Sequence, residues 1–162
     1  MSDRDPIALL MKEHDDLLSR LKALKKASLE IQKKGYSEKS FKQIVKAAKY
    51  IDIEVRVHNK HEEDALFVLI EKYVDGPTLV MREDHRKMLK LYKKLSYSIK
   101  AIEENPADKT ARQELCESAD DIVQLMVNHI HNENQILFPM VQRFCSKEEL
   151  RKVAKQILED HE

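Results

Sequence analysis

The chain has 162 residues, 42% hydrophobic and 36% charged, with only 2 Gly and 4 Pro. So few turn formers exclude a many-stranded β fold, which needs such punctuation roughly every 8 to 12 residues. Lys plus Arg and Asp plus Glu each total 29, so the formal charge is zero and nothing global points to nucleic acid or an anionic membrane.

Asp5 followed by Pro6 reads as an N-cap with proline at the first helical position. Apolar residues then recur at Ile7, Leu10, Leu17, Leu21, Leu24 and Ile31, up to a stop at Gly35. A second helix begins near Ser37 and carries Phe41, Ile44, Ala48, Ile51, Val55, Leu66, Leu69 and Tyr73 on one face before Gly76 and Pro77. The third runs from about Thr78 to Glu104, with Met88, Tyr92, Leu95, Ile99 and Ile102 inward, and breaks at Asn105 to Asp108. A fourth, with Leu115, Ala119, Ile122, Met126, Ile136, Met140 and Phe144 inward, ends near Cys145. Ser146 and Glu149 then form a capping box for a short fifth helix to about Asp160. These elements predict an all-α fold: an antiparallel up-down four-helix bundle over residues 1–145, with residues 146–162 as a C-terminal helix packing on the same domain. Such a domain buries about 70% of its unfolded surface and folds without metal or disulfide. The longest apolar run is six residues, Ala65 to Ile70, far short of a bilayer span, and the acidic start at Ser2 to Asp5 is no signal peptide. Two isolated cysteines, Cys116 and Cys145, suit a reducing compartment, so a cytoplasmic location is expected.

The chain also repeats itself, without a gap, at an offset of 71 residues. His14 maps onto His85, His58 onto His129, Glu62 onto Glu133, Leu66 onto Leu137 and Phe67 onto Phe138. The motif His-x3-Glu-x3-Leu-Phe thus occurs once in each half. Core positions agree as well, Leu18 with Leu89, Ile31 with Ile102 and Ile51 with Ile122. Three histidines fall outside the symmetry: His61 matches Asn132, His131 matches Lys60, and His161 matches only Lys90.

Residues four apart on a helix project about 40° from one another, with Cβ atoms about 5 to 6 Å apart, so each His-Glu pair can serve one site. His58 and His129 lie on the apolar stripes of their helices, His14 falls between Leu10 and Leu17, and His85 between Met81 and Met88. Depth agrees too: His14 and His58 are each 22 residues from Tyr36, and His85 and His129 are each 22 from Ala107. The middle turn fits less well, because Glu62 is 14 residues before Gly76 and His85 only 9 after it, which requires an offset or a longer connection. Six buried ionisable groups cost several kcal/mol for each charge left unpaired, a cost best offset when a cation binds them all.

Mixed imidazole and carboxylate donors suit iron, manganese or zinc rather than calcium or magnesium. Two-fold repetition predicts two ions, one on His14 and His58 and the other on His85 and His129, with Glu62 and Glu133 available to bridge them. The open positions would take a bridging oxo or hydroxo group and exchangeable solvent or a diatomic ligand. From about Asp5 to Phe144 the chain resembles hemerythrin-like proteins with the HHE cation-binding domain, through His14, His58-x3-Glu62, His85, His129-x3-Glu133 and the Leu-Phe pairs, the second followed by Pro139. That resemblance implies a four-helix bundle with a non-haem di-iron centre that meets oxygen, nitric oxide or peroxide.

Oxygen carriers of that family resemble a five-histidine pattern, whereas Leu89 stands one turn after His85 here, and Asn134 stands at the position five beyond His129 where carriers place the last carboxylate. A more symmetric, more open centre is expected, with His61, a tyrosine, Glu54 or water as sources of a further ligand. His61 is otherwise read as a surface histidine, His131 as solvated, His161 as tail, and Tyr92 as a core residue able to donate a hydrogen bond near the centre. Glu13, Asp15 and Asp84 are either acceptors for imidazole N–H groups or part of a charged helix surface. Three functions follow: a ligand-binding di-iron protein that senses, buffers or scavenges oxygen or nitric oxide; an enzyme acting on nitric oxide or peroxide, or donating iron for iron–sulfur cluster repair; and a metal-free helical adaptor. Ferritin-like oxidases pair Glu-x2-His instead, the reverse of this order.

Overall fold

The structure is a computed structural model that describes residues 5–159, all of whose regular elements are helical. Helix α1 spans Pro6–Lys34, α2 Glu38–His61, α3 Phe67–Ile70, α4 Pro77–Glu104, α5 Lys109–Asn132, α6 Phe138–Phe144 and α7 Lys147–Glu159. Single π turns at Glu62–Leu66 and Glu133–Leu137 fuse α2 to α3 and α5 to α6, so that four long rods form an up-down bundle.

The predicted caps are in place. Asp5 accepts from the N–H of Ile7, Ser37 from that of Ser40 and Asp108 from that of Ala111. Ser146 and Glu149 exchange the two bonds of a capping box at the head of α7. Gly35 closes α1 at φ 81°, and Gly76 adopts φ 107° before α4, both in the region that favours glycine. α1 packs on α2 and α5, α4 packs on α5, and α2 meets α4 less closely.

Two apolar cores stack along the bundle axis. The larger holds Leu17, Leu24, Ile44, Ile51, Leu95 and Leu115, and the smaller holds Leu10, Leu66, Phe67, Leu137, Phe138 and Val141. α7 adds Val153 and Ile157 to the smaller one. Every rod passes from one core to the other through buried polar residues: α1 between Leu10 and Leu17, α4 between Met81 and Met88, the second rod between Val55 and Leu66, and the fourth between Met126 and Leu137. The four repeated histidines lie in those crossings, together with His61, Glu62 and Glu133.

The π turns correct the predicted stripes. The N–H of Phe67 bonds to the carbonyl of Glu62 and that of Phe138 to Glu133, five residues back rather than four, which inserts one residue into the turn. Downstream of each insertion the buried face slips by one position. Ile136 is 54% exposed while Leu137 is buried, Phe144 is exposed while Cys145 is buried, and Tyr73 is exposed while Val74 packs on the smaller core. Tyr73 instead sends its hydroxyl to Glu149 on α7. Helix α3 also ends at Ile70 rather than at Gly76, so the middle connection is longer than the periodicity suggested. Glu62 is then eight residues from the end of its rod and His85 eight from the start of α4, which levels the two.

Candidate metal centre

His14, His58, His85, His129, Glu62 and Glu133 form one polar layer between the cores, none more than 4% exposed. Their donor atoms fall into two groups of four: His14, His58, Glu62 and Glu133, and Glu62, His85, His129 and Glu133. Within each group all donor atoms lie within 4.8 Å of one another, and both glutamates are common to the two. The Nε2 atoms of His14 and His58 are 3.0 Å apart, and those of His85 and His129 3.2 Å. Glu133 Oε1 is 3.2 Å from His14 Nε2 and 2.9 Å from His129 Nε2, while Glu62 Oε1 is 2.7 Å from His58 Nε2 and 3.6 Å from His85 Nε2. Each carboxylate therefore touches one histidine of each pair.

All four rings turn Nε2 inward because Nδ1 is held from outside. The Nδ1–H groups donate to Asn134 Oδ1 from His14 (2.7 Å), Glu13 Oε2 from His58 (3.1 Å), Glu63 Oε1 from His85 (3.0 Å) and Asp84 Oδ2 from His129 (2.9 Å). These acceptors obey the same repeat, since Glu13 corresponds to Asp84 and Glu63 to Asn134. Aromatic packing follows it as well: Phe138 stacks on His14 at 5.3 Å and Phe67 on His85 at 5.6 Å. The π turns bring those phenylalanines inward, which is why both members of each Leu-Phe pair are buried.

With Nδ1–H as donor, a neutral ring presents a lone pair at Nε2, so the close Nε2 pairs set acceptor against acceptor. All four carboxylate oxygens of Glu62 and Glu133 are buried with no aligned hydrogen-bond donor among the described residues. Eight inward acceptor atoms without donors fit a cationic guest. Protons do part of the same work when no metal is bound. Burial opposes charge on His58, but Glu62, Glu13 and Glu133 outweigh it and raise its pKa well above the ordinary value. His129 is likewise pulled up against burial, to about 9, mainly by Glu133. Burial opposes ionisation of Glu62 too, yet the charge of His58, whose Nε2 lies 2.7 Å away, holds that carboxyl well below the usual range. Glu13, despite burial, is lowered to about 2 by His58 and His61.

The family model of the hemerythrin HHE cation-binding domain matches residues 5–162. The chain belongs to that hemerythrin HHE family. A search of curated proteins found no significant match. Membership in a cation-binding family, together with the two buried four-donor groups, makes this a metal-binding protein.

The structure gathers the six repeated residues and leaves Glu54 outside both donor groups. His61 is corrected: it is 1% exposed rather than on the surface, and its Nδ1–H donates to Glu13 Oε1 at 3.1 Å, outside both groups. His131 is exposed as expected, and His161 lies outside the described residues. Of the three acidic candidates, Glu13 and Asp84 orient imidazoles, whereas Asp15 is exposed. Glu63 and Asn134 were missed as orienting residues. The signal was there, because each directly follows a motif glutamate and the two occupy equivalent repeat positions. Leu89, at the place of a carrier's additional histidine, is 42% exposed and lines an apolar crevice with Val55, Met88, Tyr92 and Met126. That crevice lies about one helical turn from His58, His85 and His129.

Proposed function

We propose that the six residues hold two iron ions, one beside His14 and His58 and the other beside His85 and His129, and that the pair binds oxygen or nitric oxide for sensing, buffering or scavenging. The observation that carries this reading is the overlap of two four-donor groups in both glutamates. Mixed imidazole and carboxylate donors favour iron, with manganese and zinc as the competitors. A bound iron pair supplies redox-active positions to which a diatomic ligand attaches.

The chain's own residues set the conditions. Glu13, Glu63, Asp84 and Asn134 fix the ring orientations through Nδ1, which keeps every Nε2 aimed inward. Phe67 and Phe138 cover two of the rings and keep water off that side. Met88, Met126 and the half-exposed Leu89 put apolar surface about one helical turn from the centre. No helix among the described residues is long and apolar enough to cross a membrane, and both described cysteines are free thiols, which supports placement in a reducing cytoplasm.

Turnover of nitric oxide or peroxide is the second reading, favoured because four protein donors per ion leave more than one position open for exogenous groups. Metal analysis of the purified protein, followed by absorption spectra of the reduced form before and after oxygen, nitric oxide and peroxide, separates the two. Two irons per chain and a ligand spectrum reversed by degassing support binding. Repeated consumption of the added molecule supports the enzyme, and a folded protein devoid of metal after growth with ample iron overturns both.

A further inference from the structure

The ligands repeat in the two halves, but their supporting residues do not repeat in kind. His85 and His129 donate their Nδ1–H bonds to two carboxylates, Glu63 and Asp84. His14 donates to the neutral amide oxygen of Asn134, and His58 to Glu13, whose other carboxylate oxygen takes the Nδ1–H of His61. His61 corresponds to Asn132 in the second half, so the sharing has no repeat counterpart. Arg82, whose guanidinium reaches the backbone carbonyl of Glu63, pairs its charge with Glu71 at 2.9 Å.

A carboxylate acceptor on Nδ1–H makes the opposite nitrogen a stronger donor to a cation than a neutral amide does, and charge-assisted hydrogen bonds are about twice as strong as neutral ones. Both departures from symmetry therefore weaken the same side. We infer that the two metal positions are unequal: the one flanked by His85 and His129 holds its ion more tightly, and Asn134 is the positioning residue that sets the difference. This rests on the two-metal reading above and adds to it an order of loading.

Outer partners of this kind change metal affinity by about 10- to 100-fold, so a difference of about tenfold or more is expected between the positions. The test starts from protein loaded anaerobically with iron(II) and titrates a graded series of chelators, following iron per chain. Wild type should lose iron in two steps, and anomalous scattering from half-depleted crystals should place the remaining iron beside His85 and His129. Asn134→Asp should shift the weaker step toward the stronger by severalfold or more, a gain that damaged packing does not produce. Glu63→Asn should weaken the stronger step. Loss of both irons in one step, or residual iron beside His14 and His58, would overturn the inequality, and an unmoved weak step in Asn134→Asp would overturn the role of Asn134, in each case while leaving two irons per chain in place. Absence of iron from both positions in the fully loaded protein would overturn the two-metal reading along with it.

Discussion

The two hairpins of this bundle are the same device written twice, and the differences that bear on the central layer lie in the ring of residues just outside the donors. The Ser37 and Asp108 caps, several core positions, the His-x3-Glu motifs, the π turns and the stacked phenylalanines recur at the 71-residue offset. Against that background, Asn134 opposite Glu63 and His61 opposite Asn132 stand out. A donor set can thus be duplicated faithfully while its electrostatic surroundings diverge, because an imidazole needs only some acceptor at Nδ1 to be oriented, whereas its strength as a ligand depends on which acceptor that is.

The harshest way to break the comparison is to remove one histidine from each half. His58→Ala and His129→Ala should each strip about half of the bound metal or more, with the greater loss in His129→Ala, while His131→Ala keeps its full complement; metal analysis of the purified variants checks this. Next in size come the stacked rings. Phe67→Ala and Phe138→Ala each leave a cavity in the smaller core and should cost about 3–5 kcal/mol, measured by denaturant unfolding of the loaded protein. If the halves are equivalent in packing, the two losses should be similar, and a large disparity would localise the asymmetry in the core instead of the outer ring.

Acidity sharpens the comparison further. In metal-free protein His129 carries its proton up to about pH 9, against an ordinary value of 6.5. Stability from that proton is fully present below pH 6.5 and is lost as pH rises through 9. A cation must displace the same proton, so loading should release protons and apparent metal affinity should fall as pH drops from 9 toward 6.5. Proton release on metal addition in weakly buffered solution checks the sign. The smallest effect is expected at the equivalent caps, where Ser37→Ala and Asp108→Ala should each cost about 1 kcal/mol with metal content unchanged, seen as matched shifts in thermal unfolding.

Much of this was legible in one dimension. Offset symmetry separates His14, His58, His85 and His129 from His61, His131 and His161, and equal distances from Tyr36 and Ala107 pair the histidines across each hairpin. The failures cluster where a fixed helical period was assumed. A constant 3.6 residues per turn carried through Glu62 and Glu133 places Ile136, Phe144 and Tyr73 inward, but the chain inserts an extra residue at both points. His61 was read outward for the same kind of reason: its angle on α2 says nothing about Glu13, which reaches it from α1.

The sequence by itself determined the helical class, the four breaks, the duplication and the six polar side chains of the central layer, because periodicity, caps and a gapless repeat are properties of the linear order of residues. Only the tertiary structure decided which acceptor holds which ring, that both glutamates are shared between the two groups, and that the motif ends in a π turn. Those features depend on how neighbouring helices are rotated and levelled against one another. That arrangement is fixed by packing two cores around a charged layer, and no stretch of the chain encodes it alone.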